Sequence, residues 1–404
     1  MGIRTFIISA AAYMLCTIPS LASVPDGFIQ INNNTGLSNS SVTSIFQDSD
    51  DVMWFGTWNG LNRYDGASII QYHPQATEKN SISHQVIRSI AEDSRGYLWV
   101  ATDFGINRMD RTDGSFDAFF LGYDRPYIYE EGIFSCTISA GGTVAAARKG
   151  GQISVFDYES GNFRLLEGCE GLTVTAVLFF DAYGRLWVLT EDNTVARMSV
   201  SKGHASDIAV TDMPALHGRL HFDGYDRIWY QSGEKLYCMD IYDPDPEMAD
   251  SGLRIRSTLN SIRNMDGEIF LCTTGGCYVS GKGPDLERLT EEEIPVWSVF
   301  RGSQNILWLG TDGKGVLKEK YRPEFISALD RQVGRKFPVR AIAIDRKGTV
   351  YIGSKGGGLS ILPMGGGIFH NLDVGPGKTY NSVLALEISG ERVYVGTDGD
   401  GLLY

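Results

Sequence analysis

A self-similarity with a period near 43 residues governs this 404-residue sequence. The strings MWFGTWNGLNRYDG (53–66), YLWVATDFGINRMD (97–110), RLWVLTEDNTVARM (185–198), RIWYQSGEKLYCMD (227–240) and EIFLCTTGGCYV (268–279) are related to one another. ILWLGTDGKGVLKE (306–319), TVYIGSKGGGLSIL (349–362) and RVYVGTDGDGLLY (392–404) extend the set, and TVAAARKGGQISVFD (143–157) is a degenerate copy. One anchor position runs through them as Trp54, Trp99, Ala145, Trp187, Trp229, Phe270, Trp308, Tyr351 and Tyr394. The spacings are 45, 46, 42, 42, 41, 38, 43 and 43, so five of the seven tryptophans share one register.

Each unit reads as four short strands. An alternating run such as Val42–Phe46 comes first, then a turn with Asp and often Gly, as in Asp93-Ser94-Arg95-Gly96. The anchor-bearing strand follows, ending in Gly-Thr or an equivalent, then a Gly-containing turn, a third strand such as Leu61–Tyr64, and a more variable fourth such as Ser68–Tyr72. Four strands per 38–46 residues with no helical spacing between them predict an all-β chain of β-propeller blades. The anchor ring is expected to fill the wedge between adjacent sheets. The small residue two positions on (Gly56, Ala101, Gly310, Gly353, Gly396) is expected to let a neighbouring backbone approach.

Nine units exceed an ordinary propeller of four to eight blades. The expected organisation is a seven-bladed propeller over 23–325 followed by about two blades of an incomplete second propeller over 326–404; a single larger ring is the other arrangement open to nine units. Phe28–Ile31 reads as a lone strand suited to close the first ring by donating an outer strand. The sequence stops inside a third strand at Tyr404, so it is expected to be a piece of a longer protein.

Composition agrees with the pattern. Gly is high at 48 residues and Pro low at 13, while 43% of residues are hydrophobic, which suits many tight turns around a buried core. A net charge of −13 argues against nucleic acid or an anionic membrane as partner. Arg4, the apolar run Phe6–Ile18 and Ser20-Leu21-Ala22 read as a cleavable signal peptide over 1–22, which predicts an exported, periplasmic protein. Cys272 and Cys277 flank a turn and could pair, although two small strand residues are the preferred reading.

The units resemble the two-component regulator propeller repeat. The copy that carries this best is Gly36-Leu37-Ser38-Asn39-Ser40-Ser41-Val42, then Asp48, Met53-Trp54-Phe55-Gly56-Thr57 and Gly60-Leu61-Asn62-Arg63-Tyr64-Asp65; a second runs from Ser83–Val86 through Asp93 and Leu98–Thr102 to Gly105–Arg108. The sequence is similar to the N-terminal periplasmic sensor region of hybrid two-component system histidine kinases of glycan-degrading bacteria. That resemblance implies an oligosaccharide ligand and, in the longer protein, a completed second propeller, an immunoglobulin-like domain, a membrane helix anchoring it in the inner membrane, and kinase modules that this sequence lacks. A homodimer is a further partner it admits.

No catalytic constellation, cofactor motif or metal-ligand pattern stands out. Gly377-Lys378-Thr379 lacks the remainder of a phosphate loop, and His217 and His221 lie about 13 Å apart if the segment is a strand. Asp48/Asp50/Asp51 and Asp398/Asp400 read as acidic turns on a solvated rim. The leading function is non-catalytic ligand sensing; an exported propeller lyase or glycosidase, or a protein-interaction scaffold, are the competing classes. The turns after the anchor strand vary between units and supply the candidate ligand-binding residues: Trp58, Asn59, Asp103, Phe104, Arg148, Lys149, Asp192, Asn193 and Lys314. Trp58 stands out because it lies off the anchor register. The three basic residues hint at acidic groups on the ligand.

Overall fold

The computed structural model describes residues 27–404 except 76, 79, 122–133, 193, 213–218, 244–245, 281–285, 291–292, 321–336, 346–347, 364–369, 375–380, 391 and 400. The proposed signal peptide, Asn193, His217, Gly377-Lys378-Thr379 and the expected boundary at 325 therefore lie outside the described residues. The chain divides into two compact units, 1–320 and 321–404. Among the described residues, the helical content is one 3-10 turn, Asn33–Thr35, and no helix is long and apolar enough to cross a membrane.

The first unit contains, among the described residues, seven four-stranded antiparallel sheets. Six are built from consecutive strands. In the first, Val42–Gln47, Met53–Thr57, Gly60–Tyr64 and Ile69–Tyr72 run in order from inner to outer. The seventh has inner strands Val296–Arg301, Leu307–Thr311 and Val316–Glu319, and its outer strand is Phe28–Ile31 from the other end of the unit. Phe28 pairs with Glu319 and Ile31 with Val316, as the sequence led us to expect.

Side-chain alternation then buries both faces of each anchor strand. Trp54 and Leu61 pack against Ile87, Leu98 and Val100 of the second sheet, while neighbouring Phe55 packs the other way, with Trp308 and Val316 of the seventh. The same relation repeats. Trp99 meets Phe134 and Val144, Ala145 meets Val174 and Leu186, and Trp187 meets Ile228 and Met239. Trp229 meets Leu259 and Leu271, Phe270 meets Val296 and Leu309, and Trp308 returns to Val42 and Met53 of the first sheet. Each anchor faces the following sheet, and the sequence of cores comes back to its start. This is the propeller fold.

The small residue two positions on serves the expected purpose at Gly56, Gly310 and Gly353. A Cβ at Gly56 would lie 2.6 Å from Ile87 of the next sheet, one at Gly310 would lie 2.9 Å from the Val42 carbonyl, and one at Gly353 would lie 2.3 Å from Val383. Gly396 differs: a Cβ there meets nothing closer than 3.5 Å, and that from its own sheet.

The second unit holds a four-stranded sheet (Val339–Ile344, Val350–Ser354, Gly358–Leu362, His370–Leu372) and a three-stranded one (Val383–Ser389, Arg392–Thr397, Leu402–Leu403). Its anchors Tyr351 and Tyr394 are only half-buried, unlike the first unit's.

The reading of Asp48 as part of a solvated rim is corrected by the structure. Its carboxylate is buried: Oδ1 accepts the Asp50 and Val52 amides, closing the turn, and Oδ2 accepts the Trp54 indole N–H at 2.8 Å. Asp93, Asp181 and Asp223 do the same for Trp99, Trp187 and Trp229 at 2.7, 2.9 and 3.1 Å. An indole N–H buried in a core must find an acceptor, and the turn carboxylate six residues earlier supplies it. Cys272 and Cys277 sit opposite one another in a hairpin as buried thiols.

Candidate functional site

The strand order fixes which loops share a face. Turns between the inner and anchor strands lie at one end of each sheet, and turns after the anchor strand at the other, beside the start of the inner strand. Backbone bonds make this a rule. The residue following the anchor strand donates to the carbonyl just before the inner strand: Trp58 to Ser41, Asp103 to Val86, Glu191 to Thr173, Thr274 to Thr258 and Asp312 to Pro295. Thr57, Thr102, Thr273 and Thr311 brace the same turns by donating their hydroxyls to Gly60, Gly105, Gly276 and Gly315 carbonyls. The recurring Gly-Thr is thus structural.

A β-bulge opens the inner strand in most sheets, between Val42 and Ser44, Ile87 and Ser89, Val174 and Ala176, Leu259 and Ser261, and Val296 and Ser298. A bulge takes one residue out of the ladder and re-aims its side chain. The residues so released are Thr43, Arg88, Thr175, Asn260 and Trp297. Thr43 and Asn260 donate to Ile87 and Val296 carbonyls in the next sheet, at 2.6 and 2.8 Å, and so tie sheets together. Arg88 does something else. Its guanidinium forms a two-pronged pair with Asp103, through Nε and through Nη2 at 2.9 Å, and stands 5.9 Å from the centroid of the Trp58 ring. Trp297 has a buried indole nitrogen that finds no acceptor among the described residues.

Trp58, the candidate picked for its register, is 45% exposed. The structure joins it to Asp103 through Arg88, a residue that spacing arguments passed over because it sits in the strand rather than the turn. His84 borders the pair: its Nδ1 accepts the Val86 amide at 3.2 Å, leaving Nε2 as donor. Burial lowers the His84 pKa, the Asp103 charge opposes that shift, and Arg88 adds to it. On the opposite flank, Ser41 donates to Asp312 at 2.5 Å, and Ser40 accepts the Gly313 and Gly315 amides, so the turn bearing half-buried Lys314 adjoins the Trp58 turn.

The other candidates are not gathered there. Phe104 turns away to pack on Phe120, with centroids 5.4 Å apart. Asn59 is exposed in the Trp58 turn and Lys149 and Asp192 in theirs, while Arg148 is half-buried at its strand end. The turn at Arg148 and Lys149 adjoins that of Asp192, since a Cβ at Gly150 would lie 2.9 Å from Glu191. The eight described candidates thus separate into an arc over the seventh, first and second sheets and another over the third and fourth.

Inside the ring, the residues paired with successive anchors are Phe46, Ala91, Thr137, Phe179, His221, Arg263 and Phe300. Only His221 and Arg263, on neighbouring sheets, can carry charge. His221 is therefore in the central channel, and its partner in the i, i+4 pair, His217, is outside the described residues. Among the described residues, no group of three or more His, Cys, Asp or Glu side chains is placed to hold a metal ion.

Residues 36–59 and 81–104, the first two units, match the family model described as two component regulator propeller. Two similar solved structures are extracellular domains of hybrid two component systems of B. thetaiotaomicron. BT3049 is 18% identical with a TM-score of 0.57, the alignment covering 94% of this chain and 53% of that one. BT4673 is 18% identical with a TM-score of 0.56, covering 93% and 51%. The chain thus spans about half the length of those domains. Virginiamycin B lyase from Staphylococcus aureus is also similar, at 14% identity and a TM-score of 0.54, covering 72% of this chain and 97% of the lyase. These likenesses concern the fold. No curated protein matches the sequence.

Proposed function

We propose that the chain is a periplasmic, non-catalytic ligand-sensing region of a hybrid two-component sensor, and that it binds an oligosaccharide on the rim at Trp58, Arg88 and Asp103. One observation carries the reading: an exposed indole is held beside a guanidinium whose charge a carboxylate already balances, at the contact of the two units that match the regulator-propeller model. An apolar ring face flanked by hydrogen-bonding groups of balanced charge suits a sugar. In this reading 23–325 is a complete seven-bladed propeller and 326–404 the start of a second, and the immunoglobulin-like, membrane and kinase modules belong to the longer protein. Lys314 would meet acidic substituents beside the Trp58 turn, and Arg148 and Lys149 those held farther round the rim.

Calorimetry against a glycan panel tests it. Trp58→Ala should weaken the best glycan at least about tenfold, a loss near 1.4 kcal/mol. Asp103→Asn, which frees Arg88, should weaken a neutral glycan less than Trp58→Ala does. Binding without product release over hours is expected. Steady turnover of the bound glycan would favour a lyase or glycosidase instead, and unchanged affinity in Trp58→Ala would remove this rim as the site.

A further inference from the structure

The central channel offers a second site, independent of the rim. It opens into a cavity of about 480 Å³ lined by the inner strands of the second to sixth sheets. Its walls are mostly apolar or hydroxyl-bearing: Ile90, Thr137, Val177 and Ser261 among them. Against that lining stand half-buried His221 and exposed Arg263, on the inner strands of adjacent sheets.

The charges facing them do not balance. Arg219 acts on His221 from the approach to its own strand, and Arg263 acts on it from the next. The Cys272 thiol and Asp223, at the far end of the His221 strand, are the acidic groups that act on Arg263. The Asp223 oxygens are already committed: Oδ1 to the Tyr225, Asp226 and Arg227 amides, Oδ2 to the Trp229 indole. Asp266, further along, lies 3.6 Å from Arg301, which also bonds Glu268. Across the cavity Cys136 is a thiol that burial pushes up to about 12, so it brings no charge. Among the described residues, neither the Arg263 nor the His221 side chain has a hydrogen bond or ion pair. Burial first, then Arg219 and Arg263, hold the His221 pKa down to about 4, so the ring is neutral near pH 7.

We propose that this channel binds a small oxyanion, a carboxylate or sulfate group, through the Arg263 guanidinium with His221 beside it. A planar guanidinium matches two oxygens of such a group at once, and the surrounding protein walls focus its field on the cavity. The bound group could be a free inorganic anion or the acidic substituent of a sugar. The neutral imidazole donates one N–H to it, and a negative charge beside the ring favours the protonated form.

The experiment is a side-chain NMR titration of the histidines in the full chain, with His221 assigned by its loss in His221→Gln. Sodium sulfate, sodium glucuronate and neutral glucose are added in turn at constant ionic strength. Sulfate, glucuronate or both should raise the His221 pKa by about one unit or more, while glucose leaves it in place. A shift with sulfate identifies an inorganic anion as sufficient; a shift with glucuronate alone identifies the sugar-borne group. Arg263→Gln should weaken the effective anion at least about tenfold, with Arg263→Lys between it and the parent. No movement of His221 with either anion at millimolar concentration overturns the proposal in the parent protein, whether or not the variants fold. An equal shift and affinity in Arg263→Gln overturns it too.

Discussion

The bond between four of the five anchor indoles, those of Trp54, Trp99, Trp187 and Trp229, and the aspartate six residues before each connects turn chemistry to core packing. Trp308, after Gly302, and Tyr394, after Ile388, do without the carboxylate. Where the ring lacks a donor the carboxylate is gone: Phe270 follows Asn264, and Ala145 follows Ser139. Tyr351 keeps Asp345, and its hydroxyl donates to that carboxylate at 3.2 Å. Asp93 accepts also from the Tyr158 hydroxyl at 2.7 Å. Burial and that bond raise the Tyr158 pKa. Asp93→Ala should therefore cost about 3 kcal/mol, because it strands a buried indole N–H and opens the turn, and chemical denaturation would show it. Trp229→Ala should cost about 3–5 kcal/mol by emptying the space between the fifth and sixth sheets. Buried Asn62 and Asn107 are a second device of this kind: each accepts the amide of a serine 24 residues earlier, Ser38 and Ser83, and donates back to its hydroxyl. His221 gives the residue-scale pH prediction. An unfolded histidine titrates near 6.5 and the folded one near 4, so between those values the unfolded chain binds more protons. Stability should fall as pH drops through that window, by roughly 2 kcal/mol after allowance for channel water. His221→Gln should flatten the decline in melting temperature between pH 6.5 and 4.

Among the elements, the inner strand and the closing strand matter most. A bulge at the start of the inner strand gives each of five sheets of the first unit one side chain free of ladder pairing, and two of these, Thr43 and Asn260, hold neighbouring sheets together. Thr175, which bonds Thr190 of its own sheet, Arg88 and Trp297 depart from that use, and Arg88 is what assembles the rim patch. The closing strand places Phe28 and Ile31 in the cores on either side of the seventh sheet. Its Ile29 faces solvent at 50% exposure. Ile31→Asp should thus destabilise the first unit by about 3 kcal/mol while Ile29→Asp costs less than about 0.5, a contrast that thermal melts resolve. Equal effects would show that Phe28–Ile31 does not close the sheet in solution.

At the scale of the whole molecule, the two units differ in how much apolar surface they cover. In the first, core follows core around the ring. In the second, Ile342 and Ile344 of an inner strand are each 63% exposed, and Leu384 is 50% exposed. Hydrogen exchange should find amides of Val339–Ile344 and Val383–Ser389 opening at lower free energy than those of Val42–Gln47 or Val296–Arg301. Matching protection would mean that the second unit finds its missing contacts in another way, for instance in a homodimer. The first unit is held to a ring by contacts from opposite ends of its sequence. Gln47 and Ser303 exchange hydrogen bonds across that seam.

By itself the sequence determined the strand content, the blade repeat, the anchor register and the identity of the closing strand. These follow from local periodicity, and nine imperfect copies average out the noise in any one of them. Only the tertiary structure decided which candidate residues meet. Trp58 and Asp103 sit 45 positions apart and are joined by Arg88, whose aim depends on a bulge that spacing does not display. His221 and Arg263 likewise become neighbours because consecutive inner strands converge on one channel. The turn carboxylates looked like surface charge in the sequence because a turn is locally exposed; packing of the next sheet over the indole buries them. Periodicity is a property of one unit, whereas a site here is made where two units touch.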